Sequence, residues 1–361
     1  MKEKEEVLII GAGLSGLVVA YQLQKFKVPY TIIEARERIG GRIQTIRTSA
    51  GAPIEMGATW FADKHIHLMK LIEELGISYE QQYIGNRAIY DYHNSRRTIE
   101  EISLPNSNEV SYIFSDGSAA LLDALSSRLP IGKLHTGEPV KSLSFQAGKW
   151  KVQTSQREFV AGCVINTLPP NLFVNKIKLT PELPKETIDL YKATHTWMGE
   201  SIKVGVEYQE GFWRGREVGT IFSQYGPIVE LHDHIHSSSK DAVLMGFIDP
   251  HFSRLIAEER QASSKEQLSL YFKESEALLK AYYEKDWQKD EFTFHPYLGS
   301  VLPHQNNGHP ELRRSHFDGH LLFAGSETAS SFPGYMDGAV ERGIEVAEEI
   351  KCLLVERVQS S

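Results

Sequence analysis

The run Gly11-Ala12-Gly13-Leu14-Ser15-Gly16 follows the apolar residues Val7-Leu8-Ile9-Ile10 and opens a helical pattern that continues to Phe26. A G-x-G-x-x-G pattern between a strand and a helix is a dinucleotide-binding turn: Gly11 permits the tight bend, Gly13 lets the backbone approach a pyrophosphate, and Gly16 lets helix and strand pack closely. The helix start around Ser15 offers unpaired N–H groups and a partial positive charge to phosphates. A second strand, Tyr30 to Ile33, ends at Glu34, where a carboxylate binds both hydroxyls of an adenosine ribose and repels a 2′-phosphate. The opening is therefore a βαβ unit, and NADP is disfavoured as its ligand.

A chain of 361 residues suits two domains, or one large domain with an insertion. Lys and Arg number 39 against 47 Asp and Glu, a formal charge of −8, and the basic residues are scattered rather than gathered into a stripe. That excludes a nucleic-acid binder. Cys163 lies in an apolar run and Cys352 in a helical pattern, so neither a disulfide framework nor a metal-ligand cluster is expected, and a reducing cytoplasm is. The charged opening Lys2 to Glu6 is no secretory signal, and no apolar run reaches the ~20 residues of a membrane span.

Further along, apolar residues at Ile66, Met69, Leu71, Ile72 and Leu75 predict a helix that stops at Gly76. Ser78 to Ser115 is polar and without strong pattern, and Asp116-Gly117-Ser118 introduces a helix through Leu129. Val140 to Phe145, Trp150 to Val152 and Val164 to Ile165 read as an antiparallel meander. Strands follow at Ser201 to Val206, Thr220 to Phe222 and Val243 to Ile248, then a long helix from Ser263 to Tyr283. The last section holds a strand at Leu321 to Phe323 and a helix from about Gly338 to Val355.

The first glycine motif fits NAD and FAD alike. What separates them is Glu34-Ala35-Arg36-Glu37-Arg38-Ile39-Gly40-Gly41-Arg42, a second glycine loop that ends in an arginine able to offer forked donors to the pyrophosphate. Near the C-terminus, Gly325-Ser326-Glu327-Thr328 follows a strand, and Pro333-Gly334-Tyr335-Met336-Asp337-Gly338 opens the last helix, whose N–H groups can face negative charge on a flavin ring. These runs resemble the flavin-containing amine oxidase superfamily, in its monoamine oxidase-like branch. Gly57-Ala58-Thr59-Trp60 is closer to polyamine oxidases. Val140, Thr167-Leu168-Pro169, Ser201-Ile202-Lys203 and Phe212-Trp213 extend the similarity over nearly the whole chain.

The resemblance implies an α/β fold: a Rossmann-like FAD-binding domain of the GR2 type, interleaved with a smaller α+β substrate domain carrying an antiparallel sheet. The expected bounds are 1–79, 118–198 and 288–361 for the first, and 80–117 and 199–287 for the second. It places Gly11, Gly13, Ser15, Gly16, Glu34, Ala35, Arg36, Gly41, Arg42, Gly57, Ala58, Thr59, Trp60, Val140, Thr167, Trp287, Gly325, Ser326, Glu327, Tyr335 and Met336 around FAD. Lys203 falls where the family holds a water against the flavin, and Tyr297 and Tyr335 where two aromatic walls sandwich the substrate. Pro296 stands where mammalian relatives tether the flavin through cysteine, so FAD is expected to be bound noncovalently.

The implied reaction is oxidation of an amine at the carbon next to nitrogen, with oxygen as acceptor and hydrogen peroxide as product. A polyamine oxidase, an amino-acid oxidase, a flavin desaturase and a low-turnover flavin scaffold or redox protein remain alternatives. An amino-acid oxidase needs an arginine for the carboxylate, and Arg87, Arg96 and Arg97 are the candidates. The stretch from Trp60 to Asp116 is shorter than in those relatives and omits much of the cover over the substrate cavity. No histidine, including His65 and His295, presents itself as a general base. The sequence carries no signal for an oligomeric state.

Overall fold

The structure, a computed structural model, describes residues 4–105, 110–237 and 241–359, so Lys2 and Glu3 of the charged opening lie outside it. Lys4–Ile10 forms the centre of one sheet, paired in parallel with Tyr30–Ile33 on one side and Glu158–Asn166 on the other. Leu134–His135 extends the sheet beyond Tyr30–Ile33, and Leu321–Phe323 pairs in parallel with the end of Glu158–Asn166. The beginning of that long strand instead turns back on Lys149–Thr154 and Val140–Gln146 as an antiparallel meander. One strand thus serves two ladders. Its all-apolar end, Val164-Ile165, suits the buried parallel part, where both faces are covered.

The helix Leu14–Lys25 packs against the final helix Met336–Gln359 over a core that includes Leu17, Val18, Val340 and Ala347. Their approach needs a residue without a side chain. A Cβ on Gly343 would stand 2.9 Å from Val18 Cγ1 and 3.0 Å from the Ser15 carbonyl oxygen, closer than ordinary packing allows. The first and last turns of the dinucleotide layer are held together by that contact.

A second sheet of seven strands runs in the order Leu279–Asp286, Ile202–Tyr208, Ala242–Ile248, Ile228–Asp233, Val218–Ser223, Arg87–Asn94, Arg96–Ser103. Its pairs are antiparallel except that between Val218–Ser223 and Arg87–Asn94. Ile54 and Met56, from the hairpin of Thr45–Arg47 and Pro53–Glu55, pack on Val243 and Met245 of this sheet. The hairpin is the bridge between the two sheets.

Two expectations fail. The polar stretch from Ser78 to Ser115 carries the hairpin Arg87–Asn94/Arg96–Ser103 and the short strands Tyr79–Gln81 and Tyr112–Phe114. Arg96–Ser103 is an edge strand with no buried residue, so no apolar alternation marks it. The long helix expected to Tyr283 ends at Tyr271, and Leu279–Asp286 is a strand paired residue by residue with Ile202–Tyr208. Tertiary pairing overrides the local helical preference of its Lys, Ala and Glu residues. Gly343→Val, which adds branched volume at the crossing of first and last helices, is expected to cost about 1–3 kcal/mol. Gly343→Ala should cost less, because better helix propensity offsets part of the contact. Thermal unfolding of both variants measures the difference, and equal Tm values for Val and parent would contradict the packing account.

Candidate functional site

A cavity of about 860 Å³ runs between the two sheets. At one end it is lined by Gly11, Gly13, Ser15, Glu34, Ala35, Arg36, Gly41 and Val140; at the other by Trp60, Trp197, Lys203, Glu230, Phe247 and Tyr335. Arg42, Gly57, Ala58, Thr59, Thr167, Trp287, Ser326 and Met336 also line it. Gly16, Gly325, Glu327 and Tyr297 do not.

At the first end the backbone itself is the binding surface. Gly11 has φ +102°, and a Cβ there would collide with the Thr167 hydroxyl; a Cβ on Gly16 would collide with the Gly11 carbonyl. The two glycine loops meet: a Cβ on Gly41 would lie 3.5 Å from the Gly13 Cα. Glu34 is buried, with one oxygen accepting from the Ala12 N–H (2.8 Å) and the other from the Arg36 N–H (3.0 Å). Each oxygen keeps a lone pair for a ribose hydroxyl. A Gly-lined cradle at a helix start, an oriented carboxylate and the unpartnered buried indole N–H of Trp60 fit an adenine dinucleotide whose second half reaches toward Trp60.

Arg42 behaves differently from the donor fork expected. Its guanidinium donates to Glu327 (2.5 and 3.1 Å), Ser326 Oγ (2.9 Å) and the Trp197 carbonyl (2.8 Å). Glu327 has no exposed surface, and it also accepts from the Trp197 N–H at 3.3 Å. Arg42, Ser326 and Trp197 line the cavity, and Glu327 clasps them from behind it. Arg36 likewise turns to Asp290 and Thr293, anchoring the loop after Trp287.

At the second end Lys203 is buried, donates to Thr59 Oγ1 at 3.1 Å, and lies 4.5 Å from the ring centres of both Trp60 and Phe247. Burial pulls its pKa down to about 7, against the pull of Glu55 and Glu230. Burial likewise raises Glu55 to about 7, opposed by the Ser118 N–H, the Thr45 hydroxyl and Lys203. The strand carrying Lys203 is buried throughout, which is why a lysine here is no surface residue.

The two tyrosines expected as facing walls are not brought together. Tyr335 lines the cavity, with His304 parallel to it at 5.9 Å and Trp197 at 5.5 Å; Trp197 and His304 stack at 3.7 Å. Tyr297 sits behind this layer, its hydroxyl accepting from the Thr196 N–H at 2.8 Å and its ring 6.1 Å from His195. Burial raises its pKa to about 12. Trp197 and His304 were not foreseen, since they lie in irregular segments with no periodic signal; nor was Glu230, on the unrecognised strand Ile228–Asp233 whose alternation is its only signal. Arg87 pairs with Glu101 and Arg97 with Asp91, and the cavity-lining arginines are Arg36 and Arg42. His65 and His295 are both held below the usual histidine range by burial, and neither lines the cavity.

The family model of the flavin-containing amine oxidoreductases matches residues 14–110 and 106–351. Flavin-containing amine oxidase B of Rattus norvegicus is 25% identical over 97% of this chain and 86% of its own, and a probable flavin-containing monoamine oxidase A of Dictyostelium discoideum is 23% identical over 96% and 97%. The first alignment runs over 455 positions, more than the 361 residues here, so a trimmed chain spans the same frame. Among solved structures, putrescine oxidase bound to putrescine superposes with a TM-score of 0.83 (21% identity, 97% and 99% of the two chains). Cyclohexylamine oxidase from Brevibacterium oxydans gives 0.84 (20% identity, 98% and 100%). The match of the family model along both halves of the sequence makes this chain a member of the flavin-containing amine oxidase family, an oxidoreductase that acts on amines.

Proposed function

We propose that the protein oxidises an amine at the carbon next to its nitrogen, giving an imine that water later opens, with oxygen as electron acceptor and hydrogen peroxide as co-product. The observation that carries this reading is the single cavity that joins the Glu34 cradle to an enclosed lysine and an aromatic wall. FAD, held noncovalently along the cradle, supplies the hydride acceptor and the route of electrons to oxygen. Neither Cys163 nor Cys352 lines the cavity, which supports a cofactor without a thioether tether, and the absence of a disulfide among the described residues supports a reducing, cytoplasmic setting. No described helix is long and apolar enough to cross a membrane.

The chain's own residues act by placement. Tyr335, backed by His304 and Trp197, gives the amine a flat apolar wall and excludes water from one side, which is positioning catalysis. Tyr297 supports that wall through Thr196. Lys203 holds a proton at Nζ in a dry site, next to Thr59, where a positive charge favours developing negative charge nearby. Among the described residues the cavity-lining arginines, Arg36 and Arg42, are engaged by Asp290 and Glu327, which speaks against recognition of a substrate carboxylate and the amino-acid oxidase reading. The division into 1–79, 118–198 and 288–361 for FAD, and 80–117 and 199–287 for substrate, is supported by the two sheets, whose strands fall entirely within the respective sets.

Acid denaturation of the purified yellow protein is expected to leave intact FAD in the supernatant, and the native protein is expected to release peroxide from at least one primary amine. Flavin retained on the precipitated chain would contradict noncovalent binding; an amine panel that gives no peroxide and no aerobic amine loss would contradict the reaction.

Lys203 generates a second expectation, on stability. Its folded pKa lies near 7 and its unfolded pKa near 10.4, so the unfolded chain binds the extra proton between those values. The cost of burying the ammonium is therefore full below pH 7 and fades as pH rises toward 10.4. Lys203→Met should raise Tm at pH 6, and that advantage should be clearly smaller at pH 9. A gain in Tm that grows with pH would contradict the assigned shift.

A further inference from the structure

The strand Arg96–Ser103 ends the seven-stranded sheet, and on its outer side no strand pairs with it among the described residues. It is a long edge. The other sheet closes in strands of three and two residues, Lys178–Thr180 and Leu134–His135. Short strands, proline, bulges and covering segments are what usually keep an edge from pairing with another chain. Arg96–Ser103 has no proline, its ladder with Arg87–Asn94 runs through eight pairs without a register shift, and Ile99 and Ile102 are 41% and 38% exposed.

The backbone shows which peptide groups face outward. The Asp91 carbonyl turns away from this strand and accepts from the Gln224 N–H at 2.8 Å, whereas the Asn86 carbonyl turns toward it and accepts from the Leu104 N–H, also at 2.8 Å. Direction alternates along a strand, and Asp91 faces Ile99. Arg97, Ile99 and Glu101 therefore present their N–H and C=O groups to the outside.

The side chains carry an order of sign, with arginines at 96 and 97 and glutamates at 100 and 101. Arg97 is already held by Asp91, and Glu101 by Arg87 and Arg216. Arg96 and Glu100 are exposed and in no ion pair among the described residues, Glu100 accepting from the Tyr92 hydroxyl at 2.9 Å. Four residues apart on a strand, they share one face of the sheet. An edge with an unmatched cation and an unmatched anion in this order is complementary to its own reverse.

We propose that this edge pairs with the same edge of a second copy, antiparallel about a two-fold axis at Thr98, so that two seven-stranded sheets become one. A two-fold axis normal to the sheet keeps every side chain on its face. About Thr98 it sets Arg96 opposite Glu100 of the partner subunit, twice over, lays the Arg97 stem against Ile99 of the partner subunit, and opposes no two like charges directly. Outward peptide groups of Arg97 and Ile99 then meet outward peptide groups, and the ladder continues across the axis. The pairing is independent of the amine oxidase reading, since neither Arg96 nor Glu100 lines the cavity.

Sedimentation velocity of the FAD-loaded protein from roughly 1 to 100 µM is expected to show a reversible monomer–dimer equilibrium, the range that a small, polar interface supports. Arg96→Glu and Glu100→Arg should each raise the dimer dissociation constant by about tenfold or more, because the altered contact occurs twice in each dimer, while Tm and FAD content stay parental. Mixing the two variants separates this edge from any other surface. Each variant alone opposes like charges and the mixed dimer opposes unlike ones, so an equimolar mixture should dimerise more tightly than either component. Thr98→Cys, a non-hydrogen-bonded pair with Cα atoms about 4.5 Å apart across the axis, should be locked by mild oxidation into a disulfide-linked dimer. The parent, with its exposed Cys352, should not form that link. A monomeric parent, single variants that dimerise like the parent, a mixture no tighter than its components, or a Thr98→Cys variant that does not cross-link overturns the pairing.

Discussion

The ion pair between Arg42 and Glu327 joins residues 285 positions apart, and the candidate site depends on it. Arg42 ends the second glycine loop; Glu327 lies in the turn between the strand Leu321–Phe323 and the last helix. Each is the other's charge partner, and Glu327 is entirely enclosed. Taking two charges out of water costs several kcal/mol per ion, repaid only by good geometry and further hydrogen bonds. Here those come from Ser326 Oγ and the Trp197 backbone, N–H and carbonyl both. The pair therefore fixes three segments at once: the second glycine loop, the turn before the last helix, and the stretch that presents Trp197 to the cavity.

A second clasp of similar kind, Arg36 with Asp290 and Thr293, ties the end of the strand Tyr30–Ile33 to the segment after Trp287. Both arginines follow Glu34 closely. The segment from Glu34 to Arg42 is thus the hub to which distant parts of the chain are fastened, and a cavity of this design is complete only when the whole chain has folded. The substrate end is organised by other means, with paired strands fixing the row Lys203–Phe247–Glu230 and stacked rings fixing Tyr335. Buried groups of opposite sign there, Glu55 and Lys203, are both drawn toward neutrality, which keeps the charge in that end of the cavity sensitive to small changes in its surroundings.

What was legible in the sequence was what local rules enforce. The glycine turns carry their own steric signature, and the buried strands Lys4–Ile10 and Tyr30–Ile33 are short apolar runs with clear flanks. The hairpin Arg87–Ser103 was not legible, because its outer strand faces water and its inner one mixes Tyr, Asp and His. Leu279–Asp286 misled because its strand character comes from its partner Ile202–Tyr208 and not from its own composition. Within the site, most residues of the backbone motifs reached the cavity, Gly16, Gly325 and Glu327 excepted. Tyr297 did not, since the direction of its ring is set by the irregular loop after Trp287 and by the Thr196 N–H that its hydroxyl accepts. The pairing of Arg42 with Glu327 is not legible in the sequence, because its partner lies near the other end of the chain, beyond any local pattern.

The central claim is that the two chain ends form one site through a buried ion pair, and a double-mutant cycle tests it most directly. Arg42→Met, Glu327→Met and the double variant would be compared for FAD dissociation constant by flavin fluorescence and for Tm without added cofactor. Each single substitution strands a charge and is predicted to cost about 3–5 kcal/mol, while the double variant, with no charge left unpaired, recovers a substantial part of that loss. Single variants with parental FAD affinity and Tm, or a double variant whose loss equals the sum of the two singles, would contradict the account.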